Sequence, residues 1–380
     1  VSLDTREQGS GVTDKAVGVG LIGCGVISSI YLENAKHFAE YDIVAVADLD
    51  RSRAEAQAEK YGVPRVATVD ELLADPAVEL VLNLTIPKAH FEIGMATLNA
   101  GKHLYSEKPF TVERADAAKL LAVAAEKGLR VGSAPDTFLG GGLQTCRQLI
   151  DEGAIGQPVA ATAFMFSHGP ESWHANPLFF YEYGGGPLLD MGPYYVTALV
   201  SLLGPVRRVT GSARASFSER TIGSEPLKGQ TIQVDVPTHV AGVLDFQSGA
   251  IATLLTTFDV WTDEKSRFEI YGSSGSMKVP DPNRFGGPIQ ILQSGDKEWH
   301  DVELTHGSAE NSRGIGLADI AAAARHGRPH RANGEMASHV LDVMHGILRA
   351  SETGQHLTIE SSCERPAPID PGMDDWVVSP

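Results

Sequence analysis

The chain reads as an α/β nucleotide-binding domain of Rossmann type, a doubly wound parallel sheet, followed by an α+β domain with a predominantly antiparallel sheet. Three observations predict this. From Val17 to about Thr137 short apolar runs alternate with amphipathic helical stretches, the signature of strands sandwiched between helix layers. A glycine-rich turn follows the first run. After Phe138-Leu139-Gly140-Gly141-Gly142 the alternation stops and long strand-like segments succeed one another.

In order, the first-domain strands are expected at residues 17–22, 43–47, 78–84, 103–106 and 130–133, and its helices include 51–61, 89–100 and 115–127. Gly62, Gly101 and Gly128 each lie just past a helical stretch, where a left-handed C-cap is wanted. The second domain opens with a helix at 144–152 and continues with strands at 159–166, 206–217, 236–246, 250–260 and 268–271. Thr238, Val240, Leu244 and Phe246 share one side of a strand, and Ala252, Leu254, Thr256 and Phe258 repeat the pattern beside it. One face of this sheet is expected to pack helices and the other to meet a second subunit, in a homodimer or homotetramer. The expected division is a flexible tail at 1–16, a dinucleotide-binding domain at 17–137 and a substrate and oligomerisation domain at 138–380.

A chain of 380 residues with 42% hydrophobic content can fill two cores. Its formal charge of −17 argues against nucleic acid or an anionic membrane as partner, because polyanions reward basic patches. Small molecules are the expected ligands. The three cysteines, Cys24, Cys146 and Cys363, are scattered, without paired metal-ligand spacing, and read as free thiols in a reducing compartment. The first sixteen residues lack a signal-peptide apolar core and no apolar run reaches membrane-spanning length, so a cytoplasmic location is expected.

The chemistry gathers at the ends of the expected strands. Gly23-Cys24-Gly25-Val26-Ile27-Ser28 makes a tight turn into a helix, where glycine lets the backbone approach a pyrophosphate; Ser28 takes the third-glycine place. Asp48, followed by Leu49, ends the second strand, where a carboxylate accepts hydrogen bonds from both hydroxyls of an adenosine ribose. That favours NAD. Arg51 and Arg53 leave NADP open, since an arginine there accommodates a 2′-phosphate. Thr85-Ile86-Pro87-Lys88-Ala89-His90 follows the third strand as a loop over the cofactor, with His90 either a cofactor contact or a satisfied helix-start histidine. Ser106-Glu107-Lys108-Pro109 follows the fourth. Hydride transfer from an alcohol needs a base on the hydroxyl proton, and Lys108 serves if burial or a cationic nicotinamide lowers its pKa; the structural alternative is a surface lysine paired with Glu107. Far downstream, Gly184-Gly185-Gly186 opens a helix that puts Asp190 and Tyr194 one turn apart. Asp136 and Thr137 either face the substrate or cap the following turn. The aromatic segment 167–183 offers Trp173 and His174 as substrate contacts, because binding sites combine apolar walls with a few placed polar groups; the alternative is a buried loop or a subunit contact.

These motifs, in this order, resemble the family of glucose-fructose oxidoreductase, inositol dehydrogenase and the rhizopine-catabolism oxidoreductases, over about residues 17–354. The resemblance implies a nucleotide-binding domain followed by an open-faced sheet domain, NAD or NADP as cofactor, and action on sugars and cyclic polyols. By position it implies Lys108 as catalytic lysine and Asp190 as the substrate-positioning carboxylate. Tyr194 stands where many members have histidine, and Pro135-Asp136-Thr137-Phe138 departs from the usual Asn-Arg/Tyr-Arg-Phe-like stretch. Lys108, Asp136, Trp173, His174, Asp190 and Tyr194 are the expected substrate contacts. Gly23, Gly25, Val26, Ile27, Asp48, Leu49, Thr85, Pro87, His90, Glu107 and Lys108 are the expected cofactor contacts, with no metal. Two rivals share the fold: an NAD-recycling enzyme that cleaves glycosidic bonds, and a cofactor-binding regulator without turnover.

Overall fold

The computed structural model describes residues 15–262, 264 and 266–378, so the expected N-terminal tail, apart from its last two residues, lies outside the described residues. Strands β1 (Val17–Ile22), β2 (Tyr41–Ala47), β3 (Leu80–Asn83), β4 (His103–Ser106) and β5 (Val131–Ser133) form an all-parallel sheet in the order 2-1-3-4-5. Val66 bridges Val46 in parallel and adds a one-residue edge beyond β2. All six residues of β1 are buried, as expected of a strand covered on both faces. From β1 the chain crosses to β2 on one side and then returns to β3 on the other, so a crevice opens beyond the carboxyl ends of β1 and β3.

The helices of this half are α1 (Ser28–Asn34), α2 (Arg51–Tyr61), α3 (Val69–Ala74), α4 (His90–Asn99) and α5 (Arg114–Lys127). Gly62, Gly101 and Gly128 have φ of 73°, 75° and 64°. The short α3, absent from the expectation, is set by a capping box of Thr68 and Glu71 and buries only Leu72, too little periodicity to read in sequence.

The second half begins with α6 (Gly141–Asp151) and β6 (Pro158–Phe166). Next come α7 (Gly186–Asp190), α8 (Gly192–Leu203), β7 (Val206–Arg214), β8 (Glu219–Thr221), β9 (Thr231–Gln233), β10 (His239–Phe246), β11 (Ile251–Thr257), β12 (Ser266–Gly272), β13 (Gly275–Lys278), β14 (Ile289–Gln293) and β15 (His300–Val302). The chain closes with α9 (Ile315–His326), α10 (Gly334–Thr353) and β16 (Leu357–Thr358). A nine-stranded sheet runs in the order 15-14-13-12-6-11-10-7-16, and only β6 and β11 pair in parallel. Val240, Leu244, Phe246, Ala252 and Leu254 are buried beneath helices, whereas Ile251 on the other face is half exposed.

The last two long helices were not expected, and they do not stay with the second sheet. Helix α10, capped by Asn333 accepting from Met336 N at 2.8 Å, packs against β7 and α8 but also against α5 and β5. Helix α9 packs on β5, and Ser133 N donates to Ala332 O at 3.1 Å. Arg114 pairs with Asp342 at 2.8 Å across the same seam. The two halves are thereby joined by a buried helix and a sheet-edge hydrogen bond. No helix among the described residues is long and apolar enough to cross a membrane.

Candidate functional site

Everything that follows β1 to β4 leaves the same edge of the parallel sheet. Gly23 has φ +101°, and a Cβ there would lie 2.6 Å from the carbonyl carbon of Leu84, so only glycine serves this turn. A Cβ at Gly25 would meet nothing within 4 Å, which leaves room beside the turn for a ligand. Val26 and Leu49 are almost wholly exposed, an apolar pair that none of the described residues covers. Asp48 accepts from Cys24 N at 2.7 Å and from Asp50 N at 2.8 Å, one bond per oxygen. A carboxylate has about four lone-pair sites, so two stay available for ribose hydroxyls. Room, apolar cover and a fixed acceptor together suit a dinucleotide. Ser28, in the third-glycine place, is buried and returns its hydroxyl to Gly25 O at 2.6 Å.

The two loops flanking the crevice are tied by His90. Its ring is buried, with Nδ1 at 2.7 Å from Pro109 O and Nε2 at 2.9 Å from Thr85 O. Both ring nitrogens face carbonyl oxygens of the chain itself, the contacts expected of a structural helix-start histidine. Thr85 is turned by Asn83, whose Oδ1 accepts from Thr85 Oγ1 at 2.7 Å, and Pro87 begins the short turn leading into α4. Glu107 is buried too: Tyr31 of α1 donates to its Oε1 at 3.0 Å and Lys108 N to its Oε2 at 2.8 Å. Its carboxylate therefore braces the glycine-turn helix and leaves the Lys108 side chain free to turn elsewhere.

Lys108 Nζ reaches Asp190 twice, at 2.7 Å to Oδ1 and 2.8 Å to the main-chain oxygen. The second contact arises from a helix break. Asp190 and Tyr194 were expected on one helix, but α7 ends at Asp190 and α8 starts at Gly192. Tyr194 N bonds Met191 O at 3.1 Å instead of Asp190 O, which frees that carbonyl for the lysine. Tyr194 is buried, its ring centroid 5.4 Å from Lys108 Nζ. Burial alone would lower the ammonium's pKa, yet Asp190, Tyr194 and Glu107 outweigh it and the net shift is upward. Of the two routes to a lowered pKa, burial is therefore not sufficient in the chain by itself, which favours the ammonium form of Lys108. The phenol of Tyr194 is pushed up by burial, against Lys108 and Arg313.

Lys108, Asp190 and Tyr194 line a cavity of about 960 Å³ together with Trp173, His168, Phe258 and Trp261. The sequence reading missed its far wall. Asn283, Phe285, Asn311 and Arg313 come from the turns before β14 and α9. Arg313 donates to Asn311 Oδ1 at 2.7 Å and Asn283 Oδ1 at 3.0 Å, and its guanidinium faces Tyr194. Polar turn residues carry no periodicity, and the sole hint was Asn311-Ser312-Arg313-Gly314 ahead of an apolar helix.

Two expected substrate residues fall elsewhere. His174 does not line the cavity; its ring packs edge-on between Trp173, Phe179 and Phe180. Asp136 is buried, and its Oδ2 accepts from Gly314 N at 2.9 Å and Gly316 N at 3.1 Å, capping a helix far away in sequence. Burial pushes that carboxyl from 3.8 up to about 6 despite both bonds. A folded pKa above the unfolded one means that the folded state holds the extra proton, so stability falls as pH rises from about 4 to about 6 and stays lower above. Asp136→Asn keeps an oxygen for both N–H groups. Its urea midpoint is expected to lose this decline, and a pH profile superimposable on the parent's would refute the assignment.

The chain is similar to known proteins over both halves. Residues 17–134 match the model of an oxidoreductase family with an NAD-binding Rossmann fold, and residues 143–278 match the GFO/IDH/MocA C-terminal domain. A 1,5-anhydro-D-fructose reductase of Ensifer adhaerens is 28% identical over 354 residues, covering 90% of this chain and 98% of the relative. A dTDP-3,4-didehydro-2,6-dideoxy-alpha-D-glucose 3-reductase of Streptomyces violaceoruber is 32% identical over 237 residues, 62% of this chain and 67% of its own. Among solved structures, levoglucosan dehydrogenase in its apo form superposes with a TM-score of 0.80 over 92% of this chain and 100% of that one. At 20% identity that likeness speaks for the fold alone.

Proposed function

Since the chain belongs to the GFO/IDH/MocA oxidoreductases and carries their NAD-binding Rossmann fold, we propose that it moves a hydride between a nicotinamide cofactor and a secondary hydroxyl of a sugar, glycoside or cyclitol. The observation that carries this reading is Lys108, a partly buried ammonium fixed on Asp190 where the cofactor crevice meets the deep cavity. When bound, NAD supplies the hydride acceptor or donor. Gly23, Gly25, Val26 and Ile27 form the turn that receives its pyrophosphate, Asp48 takes the ribose hydroxyls beside Leu49, and Thr85 and Pro87 form the opposing loop. Lys108 Nζ gives a proton to the carbonyl oxygen in reduction or takes the hydroxyl proton in oxidation. Asp190 orients Lys108 and a neighbouring hydroxyl, and Tyr194 adds a phenol hydrogen bond at the reacting oxygen.

The reading is tested by following NADH absorbance while sugars, glycosides and inositols are offered with each cofactor. Stoichiometric NADH with a ketosugar product supports it. Free sugar released without net NADH would instead establish the glycoside-cleaving reaction.

NAD is expected to outperform NADP in kcat/KM. Asp48 would repel a 2′-phosphate, Arg51 is taken by Glu55 at 2.8 Å, and Arg53 faces Asp50 at 3.4 Å. A larger kcat/KM with NADP would mean that these arginines release their partners. The outward face of the nine-stranded sheet, where Phe164, Phe166, Val243 and Leu255 are only partly covered, is the surface proposed to pair subunits into a homodimer or homotetramer. The mass in solution tests this.

A further inference from the structure

The cavity is larger than one sugar ring needs, and its exposure is graded. At the floor the side chains of Lys108 and Asp190 are 17% and 22% exposed. At the rim Trp173 is 68% and Trp261 83% exposed, though both line the same space. Large apolar rings left open to water mark a surface that something covers in use. About 960 Å³ lies at the upper end of the range for small-molecule sites.

The two tryptophans come from segments distant in sequence, and a single buried arginine holds both. Arg220 pairs with Glu171 at 2.7 Å, two residues before Trp173, and with Asp259 at 3.4 Å, two residues before Trp261. The same guanidinium donates to the carbonyls of His168 at 2.6 Å and Phe258 at 2.8 Å. These three charged side chains are all at least nine-tenths buried. Tyr181 adds its hydroxyl to Glu171. Burying ions has a desolvation cost that only good geometry and full hydrogen bonding repay, so a hub of this kind fixes the positions of whatever it joins. His168 then stacks on Trp261, ring centroids 3.5 Å apart and 20° from parallel, widening one platform. Ser167, Ser172 and Thr262 line the same cavity and add hydroxyl-bearing side chains to it.

We propose that Trp173 and the His168–Trp261 pair form a distal subsite for a second carbohydrate ring, so that the preferred substrate is a disaccharide-sized glycoside oxidised or reduced on the ring nearest Lys108. Aromatic faces cover the apolar C–H surface of a sugar, and the adjacent hydroxyls and the carboxylate of Glu310 meet its polar rim. Free monosaccharides fill the floor and leave both platforms exposed. This deepens the hydride-transfer reading and rests on it for the reaction, but not for the binding.

The test therefore separates the two. Intrinsic fluorescence of the NAD-loaded protein is titrated with glucose, methyl glucoside, phenyl glucoside and a panel of glucose disaccharides, and kcat/KM is measured for each. At least one disaccharide is expected to bind at least about tenfold more tightly than methyl glucoside, an advantage equivalent to about 1.4 kcal/mol. Trp173→Ala and Trp261→Ala should each remove most of that advantage, so that the ratio of disaccharide to methyl glucoside affinity falls towards one. Trp173→Phe and Trp261→Phe, which keep an aromatic face, should retain part of it and guard against a folding defect. A disaccharide advantage in binding without turnover would refute the reaction and leave the subsite standing. No disaccharide advantage, an advantage unaffected by either alanine variant, or one confined to phenyl glucoside would overturn the subsite.

Discussion

Lys108→Ala is expected to lower kcat by about 10²–10⁴-fold, the usual worth of a positioned acid or base, while the NAD dissociation constant changes little. The separation follows from the geometry. Lys108 Nζ points into the second half of the molecule, onto Asp190, whereas Glu107 takes its hydrogen bonds from Tyr31 and from the Lys108 backbone and survives the substitution. The crevice behind Gly23 and Asp48 is untouched. A variant that keeps most of its kcat, or one that loses NAD binding in step with rate, would remove Lys108 from the role.

The same geometry gives the pH dependence a sign. Burial pulls the lysine down but Asp190, Tyr194 and Glu107 raise it further, so in the free protein the ammonium persists above its usual range. Reduction of a carbonyl uses that ammonium, and its rate should stay level through neutral pH and fall only in strong alkali. Oxidation of an alcohol needs the amine, and its rate should climb as pH rises until Lys108 or the fold gives way. Initial rates in both directions across pH 6 to 10, approximately the span between the histidine and lysine ranges, read this directly. An oxidation rate that peaks at neutral pH would mean that another group carries the proton.

How much of this was legible in the sequence depends on whether a local pattern fixed it. The parallel strands and their crevice were readable because a strand buried on both faces gives an unbroken apolar run, as Val17–Ile22 does, and a left-handed turn leaves glycine, as at Gly62 and Gly128. The pairing of Lys108 with Asp190 was not readable from spacing, since the two are 82 residues apart, and its main-chain half depends on the break after α7. The split has a cause visible only afterwards: Met191-Gly192-Pro193 follows Asp190, and Pro193 has no N–H with which to continue the ladder. Asp136 and His174 misled for a common reason. A polar side chain beside a cavity in sequence is as easily consumed by backbone N–H groups, as with Gly314 and Gly316, or packed among aromatic rings. Arg220 and Arg313 left no periodic trace because each works through partners scattered over several loops.

Asp190→Ala is expected to lower kcat/KM by about two orders of magnitude, with loss in both binding and rate, and its interpretation is unusually clean. Removing the carboxylate does not release the lysine, because the main-chain oxygen of residue 190 stays 2.8 Å from Nζ as long as the break between α7 and α8 persists. What disappears is the negative charge and one acceptor for the substrate. The lysine then keeps its burial without its main counter-charge, so its pKa falls and the alkaline rise of the oxidation rate moves to lower pH. Asp190→Asn separates the two contributions: it keeps an acceptor oxygen, so it should recover part of the substrate KM while showing the same displaced pH profile. Tyr194→Phe should behave differently, reducing kcat by about one to two orders of magnitude with little change in KM if the phenol assists the proton, since the ring that lies near Lys108 is retained. Steady-state constants and pH profiles for the three variants decide the matter. Unchanged kinetics in both Asp190→Ala and Tyr194→Phe would refute the assignment of the cavity floor. A rate loss in Asp190→Ala without any displacement of the pH profile would show that the carboxylate serves the substrate and not the lysine.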